Sequence, residues 1–279
     1  MEISKRYQRT LVNRNKIGYQ GTEGAFQHIA VQRLFGDAQG VTYATFEEVF
    51  RAVQDGEVAY GVIPFENSYT GEVGEVLDLL WKYDCYITDI YDLRIHQNLL
   101  VNHGATMQDI RQVYSMHQAL SQCQEFLSNH DFEVVPYPNT ALAAKYVKES
   151  GDVHKAAIAS EEAAELYDLD VLVRNINTSA ENTTRFIVIG RRLPQGGNRF
   201  NVLFTVSHDP GQLAKIMQLV GSLGFNLESI KSRPLRNEPW QYYFYMEVVG
   251  NLGEQKSKEL IEQLRANCKE VKILGGYTV

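Results

Sequence analysis

Val58-Ala59-Tyr60-Gly61-Val62-Ile63-Pro64, followed by Phe65-Glu66-Asn67-Ser68-Tyr69-Thr70-Gly71, is the passage on which the fold turns. Its first half is a short apolar run with the length of a buried strand. Its second half breaks that run with polar residues, and Val73, Val76, Leu77 and Leu80 then recur at helical spacing. The same alternation appears twice upstream. Lys16–Gln20 reads as a strand that runs into Gly21-Thr22-Glu23-Gly24 and a helix carrying Phe26, Ile29, Ala30 and Leu34. Val41–Ala44 reads as the next strand, before a helix with capping-box spacing at Thr45 and Glu48 and with Val49, Phe50 and Val53 on one face. Strand and helix in turn predict a parallel α/β sheet. Ligands of such sheets sit beyond the carboxyl ends of the strands, where Glu66, Asn67 and Ser68 stand.

Downstream, Ile87–Val101 is a long mixed run, predicted to leave one sheet and enter another. A second α/β set follows. Val113-Tyr114-Ser115 leads through Met116-His117-Gln118 into a helix with Leu120, Cys123, Phe126 and Leu127 inside. Glu133–Tyr137 ends at Pro138-Asn139-Thr140, and Ala156–Ala159 ends at Ser160, which is placed to cap a helix starting with Glu161 and Glu162. Leu172–Ile176 and a polar loop then return the chain to Asn182-Thr183-Thr184-Arg185-Phe186 and the apolar strand Ile187-Val188-Ile189. Leu193–Asn198 reads as a linker. Beyond it the order is β-α-β-β-α-β, a ferredoxin-like module over residues 199–279.

Polar clusters thus recur at strand ends, and two lobes facing each other would gather them in a cleft suited to a small polar anion. Other classes are disfavoured. The net charge of −7 argues against nucleic acid. Cys85, Cys123 and Cys268 form no CxxC pair, which excludes a disulfide framework and a zinc cluster and fits a reducing compartment. No apolar run approaches the ~20 residues that span a membrane. Met1–Lys16 lacks the apolar centre of a signal peptide, so a cytoplasmic location is expected, and Met1–Arg14 reads as a loose arm. There is no Ser/His/Asp order and no metal-ligand spacing, and the Gly18-x-x-Gly21-x-x-Gly24 spacing is not the dinucleotide fingerprint. No metal and no cofactor is expected.

Several motifs in order resemble one family, prephenate dehydratase with a C-terminal ACT regulatory domain. These are Gly18–Phe26, Ile63-Pro64-Phe65-Glu66-Asn67-Ser68, Gln118–Cys123, Asn182–Phe186, Asp209-Pro210-Gly211-Gln212-Leu213 and Ser232-Arg233-Pro234. The resemblance implies an α/β fold class. A two-lobed, periplasmic-binding-protein-like catalytic domain would occupy residues 1–195, with lobe 1 about 15–95 and 178–195 and lobe 2 about 96–177. A ferredoxin-like βαββαβ ACT domain would occupy 199–279. The implied reaction is loss of carbon dioxide and water from prephenate, with catalytic roles for Thr184, Asn67, Gln122 and Ser115. Substrate contacts would come from Arg185, Phe186, Glu66, Ser68, Thr140 and Gly21. L-phenylalanine would bind at Gly211, Gln212, Leu213, Ser232, Arg233 and Pro234, in a homodimer or homotetramer. The sequence departs from the family pattern at Met116-His117, at Asn139 in place of an acidic residue, at Gln212 in place of alanine and at Lys231 in place of glutamate. Arogenate dehydratase and a non-catalytic amino-acid sensor remain as alternatives.

Overall fold

Three sheets organise the computed structural model, which describes residues 16–179, 181–236 and 238–279. The N-terminal arm therefore lies outside the described residues. In the first sheet, β1 (Ile17–Gln20), β2 (Gly40–Tyr43) and β3 (Tyr60–Asn67) run parallel, joined by α1 (Phe26–Phe35) and α2 (Phe46–Asp55). Thr45 closes the predicted capping box with Glu48 at the start of α2. A short β4 (Gly71–Glu72) folds back on β3 as a hairpin, and α3 (Gly74–Lys82) leads to β5 (Tyr86–Arg94). The order is β2-β1-β3-β11-β5, with β11 (Thr183–Gly190) antiparallel to both neighbours.

The sheet is mixed, then, where the sequence pattern predicted a parallel one. The βαβ crossovers of β1 to β3 force parallel pairing, whereas β11 comes in directly from the second lobe with no crossover helix to fix its direction. Pairing with β11 also extends β3 through Glu66 and Asn67, which the sequence pattern had placed beyond the strand: Thr184 faces Asn67 and Arg185 faces Glu66.

The second sheet contains β6 (Asn98–Val101), β7 (Gln112–Ser115), β8 (Glu133–Pro136), β9 (Lys155–Ala159) and β10 (Asp170–Val173), in the order β10-β6-β9-β7-β8. The run predicted as one strand from Ile87 is thus two, with Ile95–Gln97 carrying the chain between sheets. The helix predicted through Leu127 is likewise broken at Cys123 into α4 (His117–Gln122) and α5 (Gln124–Ser128). α6 (Thr140–Ser150) begins where Asn139 Oδ1 accepts from Leu142 N, and α7 (Glu161–Tyr167) where Ser160 Oγ accepts from Ala163 N. Buried alanines and valines of α6, α7 and β9 fill the space between these helices and their sheet.

The third sheet has β12 (Arg199–Thr205), β13 (Asn226–Pro234), β14 (Tyr242–Val249) and β15 (Glu270–Tyr277) in the order β13-β14-β12-β15, all antiparallel. With α8 (Gln212–Ser222) and α9 (Gln255–Asn267) this is the ferredoxin-like arrangement. One face of the sheet packs on its own helices through Phe200, Val202, Phe204, Ile216 and Leu260. The other joins the core of the first lobe: Leu203, Tyr243, Tyr245, Leu274 and Tyr277 pack with Phe65, Leu77, Leu80 and Ile87. The approach is close enough that a Cβ on Gly275 would meet the carbonyl oxygen of Ile87 at 2.2 Å.

Candidate active site

A cleft of about 510 Å³ opens between the first two sheets. Gly21, Phe26, Pro64, Asn67, Thr184 and Phe186 line it from the first lobe, and Gln97, Met116, Gln118, Gln122, Asn139 and Thr140 from the second. None of the described lining residues is ionisable. The polar groups are amides, hydroxyls and helix N-termini.

Asn67 is the hub of this cleft. It is buried, and its Nδ2 donates to Asn182 Oδ1 at 2.9 Å, to Thr184 Oγ1 at 3.0 Å and to the Thr183 carbonyl at 3.2 Å. Its Oδ1 accepts from the backbone N–H groups of Tyr69 and Thr70. Because Thr184 Oγ1 accepts from Asn67, the threonine's own proton is left to donate elsewhere, and the cleft is beside it. Phe186, two residues along β11, points the same way and forms an apolar wall.

Across the cleft, Gln122 Oε1 faces Gln97 Nε2 at 3.5 Å, and both side chains are buried. The Oε1 of Gln97 has no partner. Gln118 Nε2 donates to Thr70 Oγ1 at 3.0 Å, bridging the lobes at the cleft mouth. Thr140 opens α6, where first-turn backbone N–H groups favour anions, whereas Gly21 follows β1 and its own N–H donates to the Tyr43 carbonyl.

Four expected residues stand elsewhere. Ser115 is fully buried and donates to the carbonyl of Ile158, so it ties β7 to β9. Ser68 Oγ accepts from Thr183 N and donates to the Glu181 carbonyl, which splices β3 to β11. Arg185 alternates away from Thr184 and Phe186, and its guanidinium makes a bidentate pair with Asp92 at 2.9 and 3.0 Å. The hydrogen bonds that it donates to Asp92 raise its pKa above the ordinary arginine value. Glu66 turns toward the third sheet, where Lys231 Nζ lies 3.0 Å away.

The expected effector residues divide as well. Gln212 and Leu213 line a hollow of about 370 Å³ beside His208, Asp209 and Tyr242, and Gly211 supplies the left-handed turn, φ 85°, that opens α8. Ser232 and Pro234 are exposed on β13 beside that region. Arg233 is spent on the first lobe, where it holds Asp78 together with Arg236 and Tyr243. Burial pushes the Asp78 carboxyl up, but these donors outweigh it and hold its pKa below the usual value.

Sequence reading missed Gln97 and Asn182. Gln97 lies in the segment that was expected to be continuous strand. Asn182 was part of a quoted motif, with nothing to show that its amide would be the partner of Asn67.

The fold and cleft define a two-lobed α/β enzyme that takes a small organic acid into a site whose described lining residues are not ionisable. A family model described as prephenate dehydratase matches residues 17–194, and the chain belongs to that family of lyases, which dehydrate and decarboxylate prephenate. It is 36% identical to the bifunctional chorismate mutase/prephenate dehydratase of Pseudomonas aeruginosa, over 94% of this chain and 73% of that protein. It is 30% identical to arogenate dehydratase/prephenate dehydratase 2 of Arabidopsis thaliana, over 96% and 74%. Among solved structures it resembles the prephenate dehydratase of Arthrobacter aurescens in complex with L-Phe, with a TM-score of 0.88 and 25% identity over 95% of this chain and 90% of that one. It also resembles GqqA, described as a quorum quenching acylase, with a TM-score of 0.86 and 29% identity over 94% and 97%.

Proposed function

We propose that this chain converts prephenate to phenylpyruvate in the cleft between its first two sheets, with Thr184 as the group that assists the departing hydroxyl. In this reaction the bond from the ring to its carboxylate breaks, and the electron pair enters the ring. The ring becomes aromatic, and the hydroxyl at its far end leaves and takes up a proton to become water. Aromatisation drives the reaction, so what remains is to orient the substrate and stabilise the developing charge on oxygen. The observation that carries the reading is the Asn67–Thr184 hydrogen bond at 3.0 Å, because it leaves the threonine proton free for that oxygen. Threonine is too weak an acid to surrender the proton for good, so its role is hydrogen bonding, and solvent balances the proton.

With no cation among the described residues of the cleft wall, the substrate carboxylates are assigned to the backbone N–H groups that open α1 and α6, helped by the Thr140 hydroxyl. Gln122 and Gln97 hold the opposite edge and Phe186 supports the ring. Arg185, Glu66, Ser68 and Ser115 act on the frame of the site rather than on substrate.

The residue 1–195 part is proposed as the catalytic domain and 199–279 as an ACT domain that senses L-phenylalanine at Gly211–Leu213 and the Ser232–Pro234 strand, between copies in a homodimer or homotetramer. A cytoplasmic location accords with these assignments. The supports are the ferredoxin-like order, the hollow at Gln212 and Leu213, and a similar structure in complex with L-Phe.

Arogenate is the second reading, favoured by the unpartnered Gln97 Oε1, an acceptor suited to an ammonium group. Prephenate is preferred because no carboxylate among the described residues lines the cleft to compensate a buried ammonium. An amide-cleaving role has no comparable support, since Thr184 Oγ1 is held by an amide donor and not by a base. Steady-state assay of both substrates tests the choice: higher kcat/KM on prephenate is expected, and higher kcat/KM on arogenate would reverse it. In Thr184→Ala, kcat is expected to fall about 10²-fold or more with KM little changed. Wild-type turnover in that folded variant would remove Thr184 from the mechanism.

A further inference from the structure

Lys231 belongs to β13 of the third sheet, yet its side chain serves the first lobe. The ammonium is 3.0 Å from Glu66 Oε1, 3.6 Å from Glu72 Oε2 and 5.3 Å from the centre of the Phe65 ring, and the side chain is only 13% exposed. Glu66 and Glu72 sit directly opposite each other in the β3–β4 hairpin. Like charges so placed push a hairpin open, and here they share one cation. The next pair in the same hairpin is Asn67 with Gly71, and Asn67 is the donor to Thr184. Thr70, at the hairpin tip, receives the cross-cleft bond from Gln118. The stretch whose two carboxylates would repel is therefore the one that aims the proposed proton donor.

We infer that Lys231 is a positioning residue for the dehydration. By neutralising Glu66 and Glu72 it fixes the β3–β4 hairpin, and through it the Asn67–Thr184 bond and the direction of the threonine proton. The inference rests on the assignment of Thr184. It makes the third sheet part of the catalytic apparatus: its edge strand β13 supplies a cation that none of the described lining residues of the cleft provides. A glutamate at position 231 would place a third carboxylate beside the other two, so the hairpin charges and residue 231 must be matched within one chain.

The test is a double-mutant cycle read by kinetics. Lys231→Met is expected to lower kcat about tenfold with KM within about twofold, at temperatures well below its melting point. Lys231→Arg is expected to keep wild-type kcat. Adding Glu72→Gln to Lys231→Met removes the repulsion, and kcat is expected to return to within about threefold of wild type. A contact that serves only stability would lower the melting temperature with no such loss and recovery of turnover. Wild-type kcat in folded Lys231→Met overturns the inference, and so does a lowered kcat that Glu72→Gln leaves unrestored. Should the methionine variant fail to fold, Lys231→Gln carries the same cycle. An active Thr184→Ala enzyme would instead withdraw the role of the threonine, while the coupling of Lys231 to Glu72 would still be measurable, so the two failures are distinct.

Discussion

The cleft between the lobes and the contact between the first lobe and the third sheet are built from opposite materials. The described lining residues of the cleft are uncharged, with amides and hydroxyls as their polar groups. The other contact is crowded with charge: Lys231 with Glu66 and Glu72, Arg233 and Arg236 with Asp78, and Lys272 donating to the Trp81 and Tyr83 carbonyls. Burial depresses the pKa of that lysine even so. The contrast has a physical reason. In the cleft the ligand brings two negative charges of its own, and fixed dipoles can meet them without the desolvation cost of a buried side-chain ion. Between the first lobe and the third sheet both partners are permanent, so ions can be paired once, with close geometry, and stay paired.

The largest effect should come from breaking the neutrality of the cleft. Asn67→Asp keeps the size of the side chain and its acceptor to Tyr69 and Thr70, but it loses the donor to Thr184 Oγ1. The threonine proton would turn toward the new carboxylate, and a charge would face an anionic substrate. A fall in kcat of about 10²–10³-fold is expected in steady-state assays. A folded variant within fivefold of wild type would show that the amide hub does not direct the chemistry.

The Asp78 cluster in the contact with the third sheet should respond in the other way, in stability more than turnover. Asp78 takes hydrogen bonds from Arg233, Arg236 and Tyr243. Asp78→Asn is expected to cost on the order of 2–3 kcal/mol in unfolding measurements, the range for hydrogen bonds to a charged group, with kcat kept at low temperature. Because the folded pKa of Asp78 lies below the ordinary 3.8, its stabilisation is present above that value and is lost as pH falls through the folded pKa. Melting curves of wild type and Asp78→Asn should therefore converge on acidification below about pH 4. A constant gap through that range would show that the carboxylate charge is not what holds the contact.

Much of the architecture was legible because periodicity reports burial directly. The alternating strands and helices around Val58–Gly71 and the β-α-β-β-α-β order after residue 198 both follow from which residues must leave water. Side-chain direction was harder. Asn67 with Glu66, and Thr184 with Arg185, are neighbours in sequence and were read as one site, but consecutive strand residues point to opposite faces. Which of each pair met the cleft depended on how β3 and β11 registered, and the irregularity between Arg185 and Phe186 has no local signature. Ser115 was ambiguous for a similar reason: a serine at a strand end can face a ligand or a neighbouring carbonyl, and here its hydroxyl donates to a carbonyl of β9.

Arg185 gives the smallest expected effect and the sharpest test of the division. A guanidinium beside the threonine proposed as catalytic invites the role of carboxylate clamp, and an anionic substrate needs one somewhere. Here the fork is already matched to Asp92 across β5, with Arg185 and Asp92 in direct register. Swinging it toward the cleft would forfeit both bonds and leave Asp92 unpaired. Arg185→Gln is thus expected to lower stability by about 1 kcal/mol, since Asp92 is partly exposed and solvent screens the pair. The KM for prephenate should stay within about threefold of wild type. A tenfold rise in KM with an unchanged melting temperature would mean that Arg185 leaves Asp92 when substrate arrives, and that the cleft borrows a charge from the other face of β11.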